Sequence, residues 1–262
     1  ILRYRVPEIE QLSLQQQEML YYLTEAALQG RDILYDQNGK YNLAIRQVLE
    51  AIYTDPKQDK TSADFKALEL YLKRVWVSNG IHHHYGGDKF VPTFSKNYFE
   101  TAVKALPTEK LPLRQGETVE TLLATLVPVI FDPTVDAKRV NQEAGADLVL
   151  TSACNYYDGV TQVEAEDFYA KMKVKNDPEP ISYGLNSKLV KKDGVVQEEV
   201  YKVGGLYSAA LEKVVYWLEK AKAVAENDQQ RGAIQKLIEF NQTGNLKTFD
   251  EYAILWVEDT AS

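Results

Sequence analysis

Two strand-like runs, residues 181–190 and 195–203, flank Lys192-Asp193-Gly194 in a chain most of whose other segments carry their apolar residues at helical spacing. Asp-Gly between such runs signals a tight hairpin, because both residues accept the positive φ that the turn needs. A lone two-stranded hairpin is marginal in water. Its partner strands must therefore come from elsewhere, and this chain offers few candidates.

The helical segments are marked by their ends as much as by their stripes. Ser13-Leu14-Gln15-Gln16 is a capping box that opens a helix with Met19, Leu20, Leu23 and Ala27 on one face, and Gly30 is its stop. Asp36-Gln37-Asn38-Gly39 reads as a turn. A second helix turns Leu43, Val48, Leu49 and Ile52 inward. A third runs from Ser62 to Val77 with Phe65, Leu68, Leu72, Val75 and Trp76 as its stripe, and Asn79-Gly80 ends it. Further helices are expected over 95–105, 118–127, 161–172, 206–218, 228–241 and 248–257. Thr161-Gln162-Val163-Glu164 and Thr248 with Glu251 serve as capping boxes. Alternation of Leu2, Tyr4 and Val6 with Arg3 and Arg5 predicts a short strand within residues 1–12, ended by Pro7. The expected fold class is α+β and helix-rich, in a single domain spanning 1–262.

Charge narrows the partners. The net charge of −8 repels phosphate backbones, so nucleic acid is not an expected partner. No run approaches the roughly 18 consecutive apolar residues of a membrane helix. The one cysteine, Cys154, permits no internal disulfide and leaves cytoplasm and periplasm both open. The chain starts at Ile1 without a Met or a signal-like stretch, as a trimmed piece or a processed form would.

The chain carries no complete catalytic or metal constellation. Its three histidines, His82, His83 and His84, are adjacent. On an extended segment at most His82 and His84 would share a side, which does not close a zinc site of three protein ligands. No His-Glu-x-x-His, Gly-x-Ser-x-Gly or phosphate-loop spacing occurs. No catalytic and no metal-binding residue is therefore assigned, and no cofactor is expected in this chain. Two polar clusters stand out instead. One is the loop containing Asn79, His82, His83, His84 and Tyr85. The other is Ser152-Ala153-Cys154-Asn155-Tyr156-Tyr157-Asp158-Gly159, where Asn155 and Tyr156 are the candidates. Each reads either as a buried polar network tying the loop down or as a binding surface lining a cleft.

The run Val75-Trp76-Val77-Ser78-Asn79-Gly80-Ile81-His82-His83-His84-Tyr85, followed by Lys89-Phe90-Val91-Pro92, resembles dipeptidyl peptidase III of the Bacteroides type. So do residues 1–7, 30–43, 148–161, 182–189 and 247–257, in order along the chain. The resemblance implies a longer, two-lobed zinc peptidase that releases dipeptides from the amino end of short peptides. It makes this chain the amino-terminal, non-catalytic lobe facing the substrate cleft, inactive alone. Zinc is then expected in a carboxy-terminal lobe that this sequence does not include. It also implies helices around a small, incomplete antiparallel β-barrel or sheet containing the hairpin near 181–203. The incomplete barrel is expected to leave either exposed strand edges, which would invite self-association, or a rearranged hairpin. Two alternatives stay open: a stand-alone binding or scaffold protein reusing the lobe, and an independent enzyme using Cys154 with His82–His84.

Overall fold

The computed structural model describes residues 5–260 and 262. Its helices are α1 (Leu14–Gln29), α2 (Arg31–Asn38), α3 (Asn42–Thr54), α4 (Ala63–Ser78), α5 (Lys96–Ala105), α6 (Val119–Phe131), α7 (Gln162–Met172), α8 (Ser208–Ala223), α9 (Asp228–Thr243) and α10 (Leu246–Glu258). The strands are β1 (Tyr157–Asp158), β2 (Ser187–Lys192) and β3 (Val195–Val200). The fold class is helix-rich α+β, and its small sheet does not close into a barrel.

The chain divides into two compact units. One joins residues 1–31 to 163–262, and the other is continuous over 32–162. In the discontinuous unit, α1 packs on α8, α8 on α9 and α9 on α10. The Ser13 hydroxyl accepts the Gln16 N–H and the Gln16 side chain accepts the Ser13 N–H, completing the first capping box. Met19 and Ala26 then face Leu218, Ala221, Ile234 and Ile238 in a small core. The hairpin has the register the Asp-Gly turn dictates, from Ser187 opposite Val200 to Lys192 opposite Val195. Asp193 and Gly194 both take positive φ, 50° and 80°, as a type I′ turn requires.

The continuous unit is built on α3, α4, α5 and α6 around a larger core. Ile45, Val48, Leu49 and Ile52 of α3 meet Leu68, Leu72 and Val75 of α4, Phe99 of α5, and Leu126 and Ile130 of α6. Burying each such side chain contributes about 1.5–3 kcal/mol. Ser62, Ser95 and Thr118 cap α4, α5 and α6.

Several expectations changed. Residues 7–11 form a 3-10 helix with Pro7 at its start. Proline there lacks only an N–H that would have had no partner. Leu2 and Tyr4, the rest of the expected strand, lie outside the described residues. Asp36, Gln37 and Asn38 belong to α2, so the turn is confined to Gly39 and the residues after it. The hairpin strands are shorter than the apolar runs, because 183–186 turns before β2 begins. The helix α6 continues through Pro128 to Phe131, and α10 begins at Leu246, capped by Asn245 rather than by Thr248.

Candidate functional site

Both polar clusters lie in the continuous unit, and irregular backbone ties one to the other. The helix α4 ends on Asn79, held left-handed at φ 50°. Its carbonyl accepts an N–H from the Asn38 side chain at 3.1 Å. Gly80 follows with φ 152°. A Cβ there would sit 2.4 Å from the Asn42 Nδ2, so only glycine lets the loop lie against this side chain. The Asn42 Oδ1 then accepts the buried Ile81 N–H at 3.2 Å. Thus the first residue of α3 fixes where the loop leaves α4.

The loop folds back on itself. His83 N–H donates to the Asp88 carbonyl at 2.8 Å, Gly87 N–H to that of His83 at 2.9 Å, and Phe90 N–H to that of Ile81 at 2.8 Å. Residues 137–139 run alongside. Arg139 N–H donates to the Gly87 carbonyl at 2.8 Å, while the Lys138 and Arg139 carbonyls accept the Ala153 and Cys154 N–H groups at 2.9 and 3.0 Å. Asn155 N–H reaches the Gln37 carbonyl at 2.9 Å. The second cluster is thereby stitched to the first through one intervening segment.

The three adjacent histidines meet three environments. His82 is buried, with Nε2 2.6 Å from the Asp136 carbonyl. That contact makes Nε2 the protonated nitrogen and leaves Nδ1 with a lone pair. The Nδ1 is buried with no hydrogen-bond partner. Burial holds the imidazole below its ordinary pKa, against the Asp136 contacts that would raise it. His83 Nδ1 accepts the Tyr85 and Gly86 N–H groups at 3.2 and 3.1 Å. Its ring stacks on His84 with centroids 4.7 Å apart. His84 Nδ1 lies 3.4 Å from the Ser78 hydroxyl, and its carbonyl accepts from the Arg139 guanidinium at 3.0 Å. Tyr85 is 87% exposed beside His84. Strand alternation would have paired His82 with His84. The chain turns at 83–86 instead, so His83 and His84 pair.

Asn155 is buried, its amide donating to the Asp36 carboxylate at 3.1 Å. Tyr156 is half-buried, and burial raises its hydroxyl pKa. Burial likewise pushes the Cys154 thiol up, which disfavours the thiolate that nucleophilic attack uses. Sequence reasoning passed over Lys89. Its ammonium donates to the carbonyls of Val129, Asp132 and Val135, where α6 runs out. A lysine at a helix carboxy-terminus meets unpaired carbonyls and the negative dipole end. It also missed Asn42, whose only signal was its place in the polar run 36–42.

The histidines do not fit a zinc ion. His82 commits Nε2 to a carbonyl, and the His83 Nδ1 lone pair is taken by two amides. No group of three His, Cys, Asp or Glu side chains among the described residues could hold a metal. What the clusters offer is an exposed surface of stacked His83 and His84, with Tyr85 tilted against them, over a polar network.

The model of peptidase family M49 matches residues 151–261. Over that stretch the chain is similar to family M49. The match takes in Asn155 and Tyr156 and nearly all of the 163–262 segment. Dipeptidyl peptidase 3 of Rattus norvegicus is 24% identical over 230 residues, covering 76% of this chain and 30% of the rat protein. The structure of DPP III from Caldithrix abyssi superposes with a TM-score of 0.57 at 17% identity, covering 97% of this chain and 35% of that one. The resemblance to dipeptidyl peptidase III read from the residues therefore holds, and the similarity of fold to the Caldithrix abyssi protein extends over nearly the whole chain. The chain spans about a third of the length of these relatives.

Proposed function

We propose that this chain is the substrate-cleft lobe of a zinc-dependent M49 peptidase that releases dipeptides from the amino end of short peptides. The observation that carries this reading is a family match confined to 151–261 beside a fold similarity spanning nearly the whole chain. Both compact units then belong to one non-catalytic lobe. The zinc and its ligands come from family sequence outside these 262 residues, because the residues here do not fit the ion. The loop around Asn79, His82, His83, His84 and Tyr85, with Asn155 and Tyr156 behind it, forms part of the cleft wall. Its roles divide by burial. His82 and Asn155 hold the wall in shape, while His83, His84 and Tyr85 face peptide.

Purified chain, assayed for dipeptide release from a dipeptidyl chromogenic substrate, is expected to show none, with or without added zinc. Release above a heat-denatured control would overturn the assignment of the chemistry to other sequence. Joined to the zinc-binding remainder of an M49 peptidase, Tyr85→Ala is expected to raise KM more than it lowers kcat, since it removes a binding contact remote from the reacting atoms.

A further inference from the structure

The two units are equal in length but not in burial. The core of the 32–162 unit gathers twenty-three buried apolar residues, whereas that of the discontinuous unit gathers seven among the described residues. Among the described residues, two thirds of the exposed large apolar side chains belong to the discontinuous unit. The total accessible surface is 15689 Å². A compact globule of this mass exposes about 11,600 Å², and two separate globules of half the mass expose about 14,000 Å². Whatever the relation of the two units, about 1,700 Å² remains uncovered that folded chains ordinarily bury. That is ample for one side of a large permanent interface, which covers roughly 1,000–2,500 Å² per partner.

The bare area has a focus. The helix α10 carries Tyr252, Ile254, Trp256 and Val257, yet contributes no residue to any core. Ile254, Trp256 and Val257 are 57%, 52% and 77% exposed. Beside it opens a groove of about 360 Å³, with Met19, Leu20, Leu23 and Trp256 among its lining. The charged residues on its rim are Glu226 and Asp259, and no Lys or Arg lines it among the described residues. An apolar trough with an acidic rim fits a segment that presents an apolar stripe flanked by Lys or Arg.

We propose that the α1–α10 groove is the seat of such a basic amphipathic segment, contributed by the M49 sequence outside this chain. It rests on the reading of the chain as part of a larger M49 peptidase. The solved relative supplies nearly two thirds of its length outside the matched region, and this groove is where the present chain lacks cover. Trp256 is the anchor: a half-exposed indole that inserts between the partner's apolar side chains is the residue type that dominates interfaces.

The test co-expresses the 262-residue chain with the remaining two thirds of a dipeptidyl peptidase III and measures co-purification, dissociation and dipeptide release. Trp256→Ala and Leu20→Ser are expected to weaken the complex at least tenfold. Glu226→Gln with Asp259→Asn is expected to flatten its salt dependence. Hydrogen exchange in 246–258 is expected to slow on assembly. Failure of the two pieces to co-purify, or a complex as tight with Trp256→Ala as without, overturns the proposal. So does a homodimer of the chain alone that Trp256→Ala dissociates, since a second copy would then be the occupant. The outcomes separate this inference from the functional reading. A complex that depends on Trp256 but releases no dipeptides sinks only the function, and an active complex indifferent to Trp256 sinks only the groove.

Discussion

Asn42 and Gly80 form a pair whose energetics can be worked through. Replacing Asn42 with Ala removes the acceptor of the Ile81 N–H in a buried position. An unsatisfied buried donor costs about 1–3 kcal/mol. Part of that is offset, because the Asn42 Nδ2 is itself buried without a partner and its removal relieves a desolvated group. Replacing Gly80 with Ala costs about 1–3 kcal/mol for a positive φ that alanine resists. The new Cβ, 2.4 Å from Nδ2 and 2.8 Å from Cγ of Asn42, adds about 1–3 kcal/mol of overpacking. Both clashing atoms are gone in Asn42→Ala. The double variant should therefore be less destabilised than the sum of the singles by about 1–3 kcal/mol. Urea unfolding reports this cleanly with Trp217 and Trp256 replaced by Phe, which leaves Trp76, in the same unit as the pair, as the fluorophore. Additivity within about 0.5 kcal/mol would refute the packing account of the loop's departure from α4.

Two further outcomes follow from the same region. His82 has a folded pKa below its unfolded value, so the unfolded state takes up a proton first as pH falls. Stability should thus be full above about pH 6.5 and decline as the pH drops from there toward the folded pKa; His82→Gln should flatten that decline in thermal melts at graded pH. Lys89→Met should strand the carbonyls that close α6 and lower stability by about 1–3 kcal/mol. An unchanged melting temperature would mean that water satisfies those carbonyls equally well.

The sequence alone determined what is local. Ser13, Ser62, Ser95 and Thr118 fixed helix starts, because a cap needs only its own side chain and the amides two or three residues on. Asp193-Gly194 fixed the hairpin register for the same reason. The long runs that resemble dipeptidyl peptidase III carried the family, though not the site. Only the tertiary structure decided that 79–90, 137–139 and 153–155 lie side by side, with Asn42 and α2 beneath them. These segments are joined by irregular backbone hydrogen bonds across tens of residues, which leave no periodicity to read. It also decided that His82 is buried while His83 and His84 stack outside, since a turn at 83–86 replaced the extended segment that alternation assumed. The division into two units, one built from both ends of the chain, followed from α1 finding its apolar partner in α8. Hydrophobic pairing has no directional code, so the stripe on α1 announces that it will be buried but not against what.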